Sequence, residues 1–352
     1  MLEQGGTRPR YKTYQLIGLF LGPLVFLAMT LAPAPADLTE TGWATAALAV
    51  WMAIWWASEA LPLFVTALLP LGMLPLLGIS NLNAAATPFA NPVVFLLFGG
   101  FLIALAVERW NLHRRIAFHI ILSVGNRPLN LIAGVMLASA ALSMWMTNTA
   151  TTVMMLPIAV SLIAVVLPQG ASLSRNGTNF AAAMMLGVAY AASIGGMATL
   201  IGSPPNALAA SYLAQTFNVQ VGFAEWMAVA LPITVVMLAL AFLILTRIAL
   251  PFSAALSSTE THVVADMLRA MGPVTAPEKR VASVFLAVAA GWIFYPLIGE
   301  RIGLGITDTG IAVAGAIALF AIPADWRERR FLLDWATARK APFDILILFG
   351  EG

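Results

Sequence analysis

The sequence contains no cysteine, so no disulfide, thiolate nucleophile or thiolate metal site can form. Histidine is nearly as scarce. Only His113, His119 and His262 occur, and no two stand at the i, i+3 or i, i+4 spacing of a helical metal pair, which excludes a structural zinc site. Charge is the third shortage: 10% of the 352 residues are charged and 61% are hydrophobic. A soluble domain carries about 25% and about 45–50% respectively. A soluble fold of this length has nowhere to hide so much apolar surface, so the bilayer is the solvent and soluble enzyme classes are excluded. Nothing resembles a nucleotide-binding loop or a catalytic triad, and no nucleic-acid partner is expected.

What is present is a series of long apolar runs. A helix needs about 20 mostly apolar residues to cross the hydrocarbon core. Such stretches cover 14–33, 41–58, 62–79, 92–110, 179–212, 222–250, 281–299 and 304–323, and a ninth begins near 342. The first follows a polar, basic leader and lacks a small-residue cleavage site, so it reads as a retained helix rather than a signal peptide. The stretch 129–168 is different. It is about twice too long for one crossing, it holds no charged side chain, and the polar cluster Thr147-Asn148-Thr149-Ala150-Thr151-Thr152 lies at its middle. Two short apolar arms around a polar tip predict a re-entrant hairpin that returns to its own face.

The basic residues test this topology. With the N-terminus in the cytoplasm and the hairpin returning, every Lys and Arg except Arg301 faces inside. That is the asymmetry expected of a membrane protein. Treating 129–168 as one crossing would invert everything after it and scatter these charges. Trp110 to Ser123 is amphipathic and suits a helix lying along the cytoplasmic interface, with Arg114, Arg115, His113 and His119 toward water or headgroups. In the longest polar loop, 251–280, Thr275-Ala276-Pro277-Glu278 has capping-box spacing ahead of the next span.

Pro92-Val93-Val94-Phe95-Leu96-Leu97-Phe98-Gly99-Gly100 is similar to Pro342-Phe343-Asp344-Ile345-Leu346-Ile347-Leu348-Phe349-Gly350, with one residue inserted. The two copies enter from opposite faces, as an inverted-topology repeat requires. A second match, Thr39-Glu40-Thr41-Gly42 with Thr307-Asp308-Thr309-Gly310, has the same orientation twice and reads as chance. On the repeat argument a second hairpin and broken helix would follow Gly352, and residues 1–352 alone are not expected to transport.

Three stretches are candidate sites. The hairpin tip offers hydroxyls (Ser143, Thr147, Thr149, Thr151, Thr152), the Asn148 amide and unpaired backbone groups. Non-helical backbone at membrane depth is tolerated only where it is enclosed by protein or lines an aqueous cavity. Carbonyl ends suit a hard cation and amide ends suit an anion; the alternative is Thr-rich helix packing. Ser193 to Asn206 holds Gly195, Gly196, Thr199, Gly202, Ser203, Pro204, Pro205 and Asn206, which must interrupt the helix in mid-span; the alternative is a simple proline kink. Ser58-Glu59-Ala60-Leu61-Pro62 places an acid near the inner end of its span, as a cation or proton site or as a structural turn. Glu225, Glu300 and Asp308 read as outer-loop charges. No Lys or Arg lies near the two interruptions, so a bound anion would be balanced by cations and dipoles, which points to cation coupling.

Ser143-Met144-Trp145-Met146-Thr147-Asn148-Thr149-Ala150-Thr151-Thr152-Val153-Met154-Met155-Leu156-Pro157 resembles the first hairpin of the divalent anion:sodium symporter family, and Ser193 to Asn206 resembles its broken fifth helix. Ser58 to Pro62, Met271-Gly272-Pro273 and Leu348-Phe349-Gly350 fit the same pattern, so the resemblance covers essentially the whole chain. It implies an all-α, polytopic inverted-repeat elevator and a homodimer. Scaffold helices 1–4 with the interfacial helix would occupy 1–128. The hairpin, broken helix 5 and helix 6 would form a transport domain over 129–250, a cytoplasmic loop would span 251–280, and scaffold helices 7–9 would lie in 281–352. By the same resemblance Ser143, Thr147, Asn148 and Gly196 would line a sodium site, the only metal expected, and Thr147, Asn148 and Thr149 would hold a substrate carboxylate. Thr147 stands where the family usually has serine, and Glu351 where it usually has glycine.

The function expected is sodium-coupled transport of four-carbon dicarboxylates such as succinate, malate or fumarate across a bacterial inner membrane. Sulfate or tricarboxylate symport and sodium-independent exchange are the alternatives within transport. A sodium/proton antiporter, which would need an embedded acid such as Glu59, and a non-transporting membrane scaffold are the alternatives outside it.

Overall fold

The computed structural model describes residues 11–167, 174–252, 263–302 and 305–348, with backbone alone at 296–302. Arg8, Arg10, Pro168, His262 and Phe349 to Gly352, with the side chains of Glu300 and Arg301, lie outside the described residues. The rest is almost entirely helical, in two compact units: one runs to Val94 and includes the residues from Pro342 on, and the other is Phe95–Ala341.

In the first unit α1 (Thr13–Leu31) packs along α2 (Glu40–Ser58). Glycine makes the close approach possible: a β-carbon on Gly22 would stand 2.5 Å from the Trp51 ring and 2.8 Å from that of Trp55. The aromatic contacts Phe26–Trp51 (5.2 Å) and Trp51–Trp55 (5.1 Å) close the seam. Leu16, Ile17, Phe20 and Leu24 point outward. Glu59 ends α2 in the left-handed region (φ 48°), is exposed, and its carbonyl accepts from Gln15 Nε2 at 3.1 Å. The acid of Ser58 to Pro62 is therefore a helix-ending turn.

The run 62–79 is not one continuous helix. It divides into α3 (Leu63–Thr66) and α4 (Leu69–Leu76). Pro70 has no N–H to donate to the carbonyl of Thr66 and lies in the first turn of α4, where that donor is not needed. After α5 (Leu82–Ala86) and a 3₁₀ turn (Thr87–Ala90), α6 (Pro92–Arg109) carries the chain into the second unit.

There follow α7 (Leu112–Val124), α8 (Pro128–Ser143), α9 (Asn148–Val166), α10 (Arg175–Gly196), α11 (Pro204–Phe217) and α12 (Phe223–Leu243), the last running into a π turn at Ile244–Ala249. Then come α13 (Val263–Ala270), α14 (Ala276–Ile302), α15 (Asp308–Ala321), a two-stranded ribbon of β1 (Pro323–Asp325) and β2 (Arg330–Phe331), and α16 (Trp335–Ala338). The short α17 (Phe343–Leu348) belongs to the first unit. Among the described residues five helices are long and apolar enough to cross a membrane, those spanning Thr13–Leu31, Leu82–Arg109, Asn148–Val166, Arg175–Gly196 and Phe223–Ala249. Val229, Ile233, Val235, Val236 and Leu240 of α12 are exposed, an arrangement that suits lipid and not water.

The core of the second unit gathers α7, α8, α9 and α10 around Phe118, Ile121, Leu131, Ile132, Met136, Met155, Leu162, Phe180 and Met184. Here α7 departs from the expected surface helix. Its apolar face packs on α8 and buries two polar residues with it. His113 is 5% exposed, and Arg115, 8% exposed, pairs with Glu278 (4%) at 3.3 Å. Arg115 also donates to the Gly272 carbonyl at 3.1 Å. His119 stays exposed. Glu278 closes the expected capping box, accepting from Thr275 N at 2.7 Å while its own N–H donates to Thr275 Oγ1 at 3.4 Å. The paired Thr-acid-Thr-Gly motifs serve the same local purpose: Thr39 and Thr307 are both N-caps, accepting from Gly42 N at 3.1 Å and Gly310 N at 3.0 Å.

Candidate functional site

Two helix interruptions face each other inside the second unit. The first separates α8 from α9 over Met144 to Thr147. Thr147 restarts the helix as its N-cap, accepting from Ala150 N at 3.3 Å. The amides of Asn148 and Thr149 open the new helix and have no acceptor within it. The second separates α10 from α11 over Met197 to Ser203. Its prolines, Pro204 and Pro205, occupy the first turn of α11, where a missing N–H costs nothing. Ser203 takes the N-cap position without a side-chain bond.

Glycines let the two interruptions touch. A β-carbon on Gly195 would lie 2.4 Å from both the Cα and the carbonyl oxygen of Ala140, so α10 crosses α8 at backbone contact. On Gly202 it would stand 2.7 Å from the carbonyl oxygens of Gly196 and Ser143 and 3.0 Å from that of Met144. On Gly196 it would meet Asn148 Oδ1 at 2.1 Å and the Gly202 carbonyl at 3.2 Å. Ser143 Oγ donates to the same Asn148 Oδ1 at 2.8 Å. Oxygens from both interruptions thus converge on the small space between Gly196 and Gly202, and none of them carries a formal charge.

Buried side chains hold these carbonyls in place. Asn206, 8% exposed, donates to the carbonyls of Gly196 and Thr199, both at 2.8 Å. Thr199, fully buried, donates to the Met144 carbonyl of the other interruption and accepts from Gly202 N at 3.1 Å. Trp226 Nε1 donates to the Met197 carbonyl at 3.0 Å. Trp145 lies among Phe223 (6.0 Å), Phe285 (4.9 Å) and Trp292 (6.4 Å). The same stretch borders an apolar cavity of about 160 Å³ lined in part by Ile103, Met146 and Ile201.

Ser143, Asn148, Gly196, Gly202, Thr199 and Asn206 are therefore brought into one cluster, and Gly195 into the helix crossing behind it. Thr147 and Asn148 are half-buried, and Thr149 is exposed on the α9 face of the tip. The Met144 carbonyl and the Trp226 indole are additional members that sequence reasoning missed. A main-chain carbonyl has no residue signature, and a tryptophan in an apolar run looks like any other core or interface residue. Chemically, such a set of neutral hard oxygens suits a hard cation, and the amide end of α9 suits an anion.

A helical membrane protein with paired interruptions around an uncharged oxygen cluster is a secondary-carrier architecture. The sequence of residues 13–352 matches the family described as the sodium:sulfate symporter transmembrane region. The chain belongs to this family; it is an integral, multi-pass membrane protein and a transporter rather than an enzyme. It is 35% identical over 351 residues to the sodium-dependent dicarboxylate transporter SdcS of Staphylococcus aureus (strain MRSA252), covering 97% of this chain and 67% of that protein. It is 34% identical over 347 residues to the protein of the same name from Staphylococcus saprophyticus, with 97% and 67% covered. The chain spans about two thirds of the length of these relatives.

Proposed function

We propose that the protein couples sodium to the transport of small divalent anions, with four-carbon dicarboxylates such as succinate, malate and fumarate as substrates. The observation that carries this reading is the convergence of the Ser143, Met144, Gly196 and Gly202 carbonyls with Asn148 Oδ1 on one space free of charged side chains. Neutral oxygens attract a cation but leave its charge uncompensated, so a bound cation makes the neighbouring tip favourable for an anion. In this reading sodium is co-transported substrate, held by Ser143, Thr147, Asn148 and Gly196. One substrate carboxylate lies at Thr147, Asn148 and Thr149, on the first-turn amides of α9. The extra methyl of Thr147 narrows the site relative to the serine usual in the family. The names of the staphylococcal relatives, sodium-dependent dicarboxylate transporters, support the choice of ions.

Gly195, Thr199, Gly202, Ser203, Pro204, Pro205 and Asn206 support the broken helix. Movement is by an elevator: the hairpin, broken helix and α12 (129–250) travel against scaffold helices in a homodimer of the bacterial plasma membrane, with the N-terminus in the cytoplasm. Glu59, the acid on which a sodium/proton antiporter reading rests, is exposed and forms a turn, which does not support that alternative. A sodium titration of succinate uptake by the full-length protein in proteoliposomes tests the proposal. Uptake should rise saturably with sodium and be competed by malate and fumarate. Uptake that stays flat as sodium replaces choline overturns the coupling, and uptake competed by sulfate but not by dicarboxylates overturns the substrate.

A further inference from the structure

Two hydroxyls behind the hairpin tip have an unmet demand. Ser139 of α8 and Thr151 of α9 are both 0% exposed, and neither side chain has a hydrogen-bond partner among the described residues. Helical hydroxyls commonly bond to the carbonyl four residues back, as Thr152 does to Asn148 and Ser161 to Pro157, both at 2.8 Å. Ser139 and Thr151 do not. A buried polar group without a partner is rare enough in a native fold to require a cause, and bound water is the commonest one.

Their positions identify where that cause lies. Ser143 and Asn148 join the two arms across the tip through the 2.8 Å bond from Ser143 Oγ to Asn148 Oδ1. Ser139 is four residues before Ser143, and Thr151 is three residues after Asn148, so each shares a helix face with its joined neighbour. Counted along its own arm, each hydroxyl stands about one turn from the tip. Thr151 also heads the inward stripe of α9 that continues through Met155, Ile158, Ala159 and Leu162. Ala138, Ala140, Leu142 and Met155, buried in the same core, offer only apolar side chains, and the hydroxyl of Thr152, next to Thr151, is committed to the Asn148 carbonyl.

We propose that Ser139 and Thr151 bind one water molecule between the arms, a site separate from the oxygen cluster at Gly196 and Gly202. A buried water makes about three hydrogen bonds. Two hydroxyls and a main-chain carbonyl of the adjoining turns supply that number, whereas two neutral hydroxyls are too few oxygens to strip a cation of its hydration. The water fastens the arms to each other behind the tip. This rests on packing alone and holds whatever ion or anion the protein carries.

A double-mutant cycle on the purified full-length protein tests it. Ser139→Ala and Thr151→Val each remove a hydroxyl without adding bulk, and melting is followed in sodium and in choline. Each single change should lower the melting temperature by roughly 2–4 °C, because the water and the remaining hydroxyl lose a partner. The double change should cost clearly less than the sum, equally in both salts. Single changes that leave melting unchanged or raise it, with additive effects, would mean a dry seam and overturn the proposal. Coupling seen only in sodium would assign the site to a cation and overturn it as well. If either variant fails to fold, a high-resolution map of the unaltered protein decides: a solvent peak within hydrogen-bond distance of both hydroxyls supports the water, and its absence refutes it.

Discussion

At the scale of single residues, Gly196 is the position where one methyl group decides most. Its β-carbon would fall 2.1 Å from Asn148 Oδ1, inside the contact distance of any real pair of atoms. Asn148 is also tied to Ser143, so it cannot retreat without opening the oxygen cluster. Gly196→Ala should raise the sodium concentration for half-maximal uptake at least about tenfold, equivalent to ~1.4 kcal/mol of lost binding, while membrane insertion stays normal. An unchanged sodium midpoint would remove Gly196 from the cation site. His113 offers a test of burial on α7. Burial holds its imidazole below the usual value; the Val107 carbonyl opposes the shift and the Arg114 charge adds to it. The unfolded chain therefore takes up the proton first as pH falls below about 6.5, and the folded state loses stability from there down to the lowered folded value. Melting of the unaltered protein should drop across that window, and His113→Gln should flatten the drop; parallel curves would refute the assignment.

At the scale of elements, the interruptions were legible because proline, glycine and an uncharged polar cluster are local causes. Thr147 caps the start of α9, and Ser203-Pro204-Pro205 open α11, each by local chemistry. The capping box at Thr275 was legible for the same reason. The partner of Glu278 was not, because Arg115 is far away in sequence and nothing local marks it as buried. The division of 62–79 at Pro70 was written in the sequence but concealed by apolar composition, which reports solvent preference and not continuity. The Thr199 bridge to the Met144 carbonyl ends on a main-chain atom common to every residue. The Arg115–Glu278 pair yields a stability prediction. Arg115→Met alone strands a buried carboxylate and should cost about 3–5 kcal/mol. Adding Glu278→Gln removes the stranded charge yet retains an acceptor for Thr275 N, so the double variant should recover much of the loss in denaturation measurements. A double variant as unstable as the sum of the singles would mean that the pair is not coupled.

At the scale of the whole molecule, the distribution of Lys and Arg and the break at Met144 to Thr147 make one topological statement. In the proposed topology the hairpin returns to the face it left. Residues 1–352 contain no cysteine, so a thiol introduced among them is their sole label site. Gln220 and Lys279 are both exposed and flank the span containing α12. In intact cells an impermeant maleimide should label Gln220→Cys and spare Lys279→Cys until the membrane is opened. The reverse pattern would make 129–168 a full crossing. Composition thus reveals the solvent and the charge asymmetry supports the proposed orientation, while the oxygen cluster emerges only when the two interruptions meet in space.

That cluster is the centre of the account, and it predicts a specific ligand effect before any transport occurs. The direct measurement is thermal melting of the purified protein as sodium chloride replaces choline chloride at constant ionic strength. A folded state that binds sodium gains stability with its concentration, so the melting temperature should climb and saturate, and Gly196→Ala should move the climb to at least about tenfold higher sodium. Identical melting in the two salts would contradict a sodium site at the junction of the interruptions.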